Sequence, residues 1–109
     1  MNNRLKGTYY RNKTKTWYEK DGYMVEVAEN KVSVWVKGKI WYAPKDLFGS
    51  DLIAMKQDPP EIIFIQSKTH KGDVSKAVKE FMRYPFPPFV KRHIVRWEER
   101  AREPQVTEV

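Results

Sequence analysis

The sequence predicts an α/β fold of the mixed α+β kind, with a central sheet flanked by helices. Three observations carry that prediction. Residues 5–21 contain no proline, and Tyr10, Thr14, Trp17 and Tyr18 recur there at three-to-four-residue spacing. Two short apolar runs, Leu52–Met55 and Glu61–Gln66, are separated by Lys56-Gln57-Asp58-Pro59-Pro60, whose prolines forbid a continuous helix or central strand. After them Val74, Ala77, Val78 and Phe81 return to helical spacing.

In chain order, the first helix carries Arg11, Lys13, Lys15 and Lys20 between its aromatic positions and ends at Gly22. Tyr23–Ala28 is a β-rich run, and after the turn-like Glu29-Asn30-Lys31 the residues Val32, Val34 and Val36 alternate with Ser33 and Trp35. These are expected to be two antiparallel strands. Lys37-Gly38-Lys39 is a second turn signal, before Ile40-Trp41-Tyr42 as a third strand or edge and a loop through Pro44. The two apolar runs are expected to be central strands meeting at the proline turn. Asp73 is placed to cap a helix that runs to about Arg83 and covers the sheet. Tyr84-Pro85-Phe86-Pro87-Pro88-Phe89 cannot be regular, and Ile94-Val95-Arg96-Trp97 reads as the closing strand. With no repeat, low-complexity stretch or composition break, residues 1–109 read as one domain.

The chain has 109 residues, with 21 Lys and Arg against 14 Asp and Glu, for a net charge of +7. The charge is uneven: +5 over residues 1–20, −2 over 21–65, +3 over 66–83, +3 over 89–102 and −2 beyond. If the basic ends meet in the fold they form a surface suited to a phosphate backbone. Four Trp, five Phe and six Tyr supply apolar area for a core. The absence of cysteine excludes disulfides, thiolate zinc sites and thiol nucleophiles, and fits a reducing, cytoplasmic compartment. No apolar run approaches the roughly 20 residues that span a bilayer, and no apolar signal region follows Met1-Asn2-Asn3-Arg4, so neither membrane insertion nor export is expected.

The segment that carries chemistry is Gly49-Ser50-Asp51-Leu52-Ile53-Ala54-Met55 followed, fifteen residues after the Asp, by Gln66-Ser67-Lys68. Period-two alternation puts Gln66 and Lys68 on one face of a strand and Ser67 on the other. Pairing with the preceding strand brings Asp51 beside them, so that a carboxylate, an amide oxygen and an ammonium converge at one sheet edge. Metal-assisted phosphodiester hydrolysis uses such a set: oxygen ligands for a hard divalent ion, and a lysine that positions or helps to deprotonate water. A solvated strand end would show the same spacing.

This pattern resembles the PD-(D/E)xK nuclease superfamily, in particular its small Holliday junction resolvase-like members. The likeness rests on Lys6-Gly7 opening a helix, Asp21-Gly22-Tyr23, Asp51-Leu52-Ile53-Ala54, Ile65-Gln66-Ser67-Lys68-Thr69 and the terminal Ile94-Val95-Arg96-Trp97, and it spans most of the chain. It implies a restriction endonuclease-like core, Mg²⁺ or Mn²⁺ dependence, a DNA substrate and a homodimer, for which Tyr84–Phe89 is a candidate contact. It also implies that Asp51 and Gln66 hold the ion and that Lys68 positions or activates water. Arg4, Lys6, Arg11, Lys13, Lys15 and Lys71 are the expected phosphate contacts. Two departures stand out. Gln66 occupies a position that is usually Glu, and Arg11 occupies that of a metal-binding acid on the first helix, for which Asp46, Glu19 and Glu26 are candidate substitutes. His70 and His93 are assigned no role, and Tyr9, Tyr10, Trp17, Trp35 and Trp41 are either core residues or base-stacking rings. Two further readings use the same residues: a nuclease fold that binds DNA without cutting it, and a small basic RNA-binding or protein-interaction module.

Overall fold

The computed structural model describes the backbone of residues 3–28 and 30–109 and the side chains of residues 6–28, 37–40 and 46–109. Helix α1 (Asn3–Lys20) leads into β1 (Met24–Val27), followed by β2 (Asn30–Val36), β3 (Lys39–Lys45), β4 (Leu52–Lys56) and β5 (Glu61–Lys68). Helix α2 (Lys71–Met82), β6 (Lys91–Arg96) and β7 (Gln105–Glu108) complete the chain. Five strands form one mixed sheet in the order β1-β4-β5-β6-β7, and β2 and β3 form a separate two-stranded ladder. Among the described residues only β5 and β6 pair in parallel, because α2 carries the chain back across the sheet between them.

The helical stripe read from the sequence is the packed one. Tyr10, Thr14 and Tyr18 of α1 are buried at i, i+4 and i+8, and the two tyrosines join Val25, Leu52, Ala54, Ile63 and Ile65 in one core cluster. The turn after α1 closes through hydrogen bonds from the Asp21, Gly22 and Tyr23 amides to the Tyr18 and Glu19 carbonyls. Gly22 sits there at φ +92°, a conformation that favours glycine. On the other face of the sheet Ala77 and Phe81 of α2 bury against Ile94, with Phe64 beside them. Odd-numbered residues of β5 thus face α1 and even-numbered ones face α2.

Three expectations are corrected. The Tyr23–Ala28 run does not pair with Val32–Val36: β1 pairs with β4, Val25 opposite Ala54, and β2 pairs with β3. The tight turn is instead Lys37-Gly38, with both residues at positive φ (51° and 76°), which matches a right-twisted two-residue hairpin. Asp73 is not the cap of α2. The helix starts earlier, with His70 as N-cap in extended conformation and no side-chain cap bond, and Asp73 falls in the first turn, where its charge suits the helix dipole. Finally, β7 was not anticipated. Its residues are exposed along the whole strand, and an edge strand of that kind lacks the apolar alternation that marks a half-buried one.

Candidate active site

The Leu47–Ser50 turn ends at a strand edge. Leu47 and Ser50 bridge each other, with the Ser50 hydroxyl donating to the Leu47 carbonyl at 2.5 Å. Between them Phe48 and Gly49 both have positive φ, 50° and 81°. That conformation is unusual for a bulky residue such as Phe48. Asp51 follows. Its N–H donates to the Ile65 carbonyl at 2.9 Å, its carbonyl accepts from Ala28 N–H at 2.7 Å, and its Oδ2 accepts from the Ser67 N–H at 3.1 Å. The carboxylate is therefore bonded to the backbone of the residue between Gln66 and Lys68.

Alternation along β5 separates the three residues as the sequence implied. Ser67 faces α1, where its hydroxyl donates to Thr14 Oγ1 at 3.3 Å, the Thr14 proton being given to the Tyr10 carbonyl at 2.7 Å. Thr14 is fully buried and also accepts from Trp97 Nε1 at 2.9 Å, which ties β5, β6 and α1 together behind the site. Gln66, only 2% exposed, faces α2.

The Gln66 amide has two orientations. In one, its nitrogen donates to Glu80 Oε2 at 3.4 Å but also faces the Lys68 ammonium, and its oxygen faces the Gly49 carbonyl. With oxygen and nitrogen exchanged, the nitrogen donates to Gly49 O at 3.3 Å and the oxygen accepts from Lys68 Nζ at 3.2 Å. An ammonium can only donate and a carbonyl can only accept, so the exchanged orientation satisfies two contacts, one of them charge-assisted. It is the orientation taken below. The Gln66 oxygen then lies 3.4 Å from Glu80 Oε2, and the hydrogen bond between the two side chains is given up.

Glu80 is the residue that sequence reasoning missed. Its side chain also lines the turn: a Cβ added at Gly49 would meet Glu80 Cγ at 3.4 Å and Tyr84 at 3.6 Å. The available signal was its position three residues after buried Ala77 and one before buried Phe81, which places a charged residue beside the inward stripe of α2. Glu19 and Glu26 are exposed, as is Asp46. Glu80 Oε2 stands 3.4 Å from the Gln66 amide.

The expected phosphate contacts are spread along the surface. Lys6, Arg11 and Lys15 are half-buried on α1, and Lys71 is exposed at the start of α2. Lys13 lies over the Trp97 ring at 4.4 Å. The side chains of Arg4, Trp35 and Trp41 lie outside the described residues. His70 is exposed. His93 is half-buried, with Nδ1 2.8 Å from the Tyr18 hydroxyl and Nε2 3.5 Å from Glu108. Burial holds its pKa below the ordinary imidazole value, although Glu108 pulls the other way. At the start of β5, Glu61 bonds Lys91 at 2.8 Å and Tyr23. Lys91 holds its carboxyl below the usual range, while burial pushes Tyr23 up to about 12.

Among the described residues no three His, Cys, Asp or Glu side chains group to hold a metal ion. The oxygens within reach of each other at Gln66 are its own amide oxygen and Glu80 Oε2, while the Asp51 carboxylate is held on the neighbouring Ser67 N–H; hard oxygen donors of this kind are the type that Mg²⁺ and Mn²⁺ take. In comparisons with known proteins, no protein-family model, curated protein or solved structure matches the chain.

Proposed function

We propose that the protein is a divalent-metal-dependent DNA endonuclease with a restriction endonuclease-like core, acting on branched or duplex DNA as a homodimer in the cytoplasm. The observation that carries this reading is that the Asp51 carboxylate bonds the backbone N–H between Gln66 and Lys68, whose side chains meet each other where β5 ends. Two further features support it. A helix, three strands (β1, β4 and β5) each antiparallel to its neighbour, a second helix and a parallel strand surround the site, and the net charge is +7. No described helix is long and apolar enough to cross a membrane.

Asp51, Gln66 and Glu80 would hold the ion. When bound, it supplies a Lewis acid for the phosphoryl oxygen and lowers the pKa of a coordinated water. The chain's own contributions follow from the contacts. The Ser67 N–H fixes the Asp51 carboxylate. Gly49 O orients the Gln66 amide so that its oxygen faces Lys68. Lys68 places a positive charge beside those oxygens, where it orients a water and offsets phosphate charge. Glu80 supplies the second anionic oxygen that Gln66 lacks.

One observation favours a second reading, DNA binding without cleavage: the Gln66 amide and the Asp51 carboxylate already have hydrogen-bond partners within the protein. Cleavage of junction, duplex and single-stranded DNA by wild type and Asp51→Ala, with Mn²⁺, Mg²⁺ or EDTA, separates the two. Metal-dependent cutting that the variant loses supports the nuclease. Binding without cutting in every metal supports the second reading.

A further inference from the structure

We infer that the groove between the outer side of α1 and the segment following β6 binds single-stranded nucleic acid. The groove has a volume of about 360 Å³, and Tyr9, Lys13, Trp17, Lys20, Trp97 and Arg102 form its walls. Three of these are cations, and none of the groove's lining residues is a carboxylate. Of the remaining three, Tyr9 is 49% exposed and presents its ring to the groove, Trp17 is half-buried, and Trp97, only 2% exposed, forms the floor beneath them.

The rings are held in place from behind. Trp97 is anchored through Nε1 to Thr14 at 2.9 Å, and Trp17 meets it edge-on with centroids 6.0 Å apart. Tyr9 stands edge-on to buried Tyr10 at 5.0 Å and is itself 49% exposed. Lys13 bridges the groove, its ammonium 4.4 Å above the Trp97 ring and donating to the Ala101 carbonyl at 3.1 Å. That bond ties the segment after β6 to α1 and leaves further N–H donors on the ammonium.

Fixed rings beside cations recognise a ligand that carries flat rings and anions together. A single strand does so, with unpaired bases to stack and phosphates to pair. A duplex keeps its bases stacked internally and offers none to a ring on the surface. The groove is also joined to β5: the Trp97 backbone N–H donates to the Lys68 carbonyl at 3.2 Å, and the Ser67 hydroxyl donates to Thr14 Oγ1 at 3.3 Å. These contacts reach Ser67 and the Lys68 backbone on the α1 side of β5, so a strand held in the groove lies across the sheet from the Gln66 side chain. The inference names part of the substrate of the candidate active site and rests on the proposed cleavage for its biological sense.

The test is fluorescence-anisotropy titration of a labelled oligothymidylate in EDTA, over a range of NaCl concentrations. The variants are Tyr9→Ala, the double Lys20→Gln/Arg102→Gln, and the control double Lys76→Gln/Lys79→Gln, which removes the same charge from exposed positions on α2. Tyr9→Ala is expected to weaken binding roughly fivefold or more without changing the salt slope. The groove double is expected to reduce the slope of log affinity against log salt by about 1.4, roughly 0.7 per charge, and the control to bind nearly as wild type. The inference is overturned if wild type does not bind, if Tyr9→Ala binds as wild type, or if the control loses as much as the groove double. Because EDTA removes any metal, a failure of the proposed cleavage leaves this result untouched. Loss of cutting in Asp51→Ala with oligothymidylate binding retained separates the two sites.

Discussion

Replacing Gln66 with Glu tests the site's internal chemistry without disturbing its shape. The new carboxylate would stand about 3.4 Å from Glu80 and 3.2 Å from Lys68. At an effective dielectric of about 20, each interaction is worth about 5 kcal/mol, with opposite sign, so the two nearly cancel. What remains is the Gly49 carbonyl, which loses its N–H donor and faces an oxygen at 3.3 Å. A buried acceptor stripped of its partner costs about 1–3 kcal/mol, and desolvating the added charge acts in the same direction. For a chain of this length, a loss of about 2 kcal/mol lowers Tm by about 8 °C. Calorimetry in EDTA should show that fall for Gln66→Glu, and the deficit should shrink as pH drops and the new carboxyl takes a proton. Mn²⁺ should reverse it, because a ligand at a hundred times its Kd adds about 2.7 kcal/mol. An unchanged Tm in EDTA, or a loss that Mn²⁺ leaves in place, would refute the assigned contacts.

Three other perturbations probe the same framework. Gly49→Ala puts a Cβ on a backbone at φ +81° and within 3.4 Å of Glu80. It should cost about 1–2 kcal/mol by urea denaturation and reduce metal-dependent cleavage more than DNA binding; equal losses in both would count against Glu80 as a ligand. Thr14→Val strands the buried Trp97 N–H that Thr14 now accepts. The expected loss is about 1–3 kcal/mol, and wild-type stability would contradict the network. His93 is held below its ordinary pKa mainly by burial, so the unfolded chain binds its proton first. The stability involved is fully present above about pH 6.5 and is lost as pH falls below it. Between pH 7.5 and 5.5 the Tm of wild type should fall further than that of His93→Gln, and parallel curves would dismiss the effect.

Much of the framework was legible because it depends on periodicity. The Tyr10, Thr14, Tyr18 stripe and the Ala77, Phe81 pair are both buried where helical spacing put them. Prolines 59 and 60 fixed the turn between β4 and β5, and the alternation along β5 put Ser67 opposite Gln66 and Lys68. Strand partnership was less legible. Tyr23–Ala28 carries no mark of whether its neighbour is the next strand or one some 25 residues later, since a local ladder and a distant one have the same alternation. Glu80 was missed for a related reason: helical spacing identifies the apolar stripe but not which flanking charge a neighbouring loop turns inward. That choice is made by Gly49, whose lack of a side chain leaves room for the Glu80 carboxylate.

The central claim is that Lys68 serves chemistry and not folding or DNA capture. It is tested most directly by Lys68→Ala, with the rate of Mn²⁺-dependent cleavage and the affinity for uncleaved DNA in Ca²⁺ both measured on the same junction and duplex substrates. The account predicts that cutting is abolished while affinity stays within about threefold of wild type, as expected for one lost phosphate contact. Cleavage at the wild-type rate in that variant would contradict it.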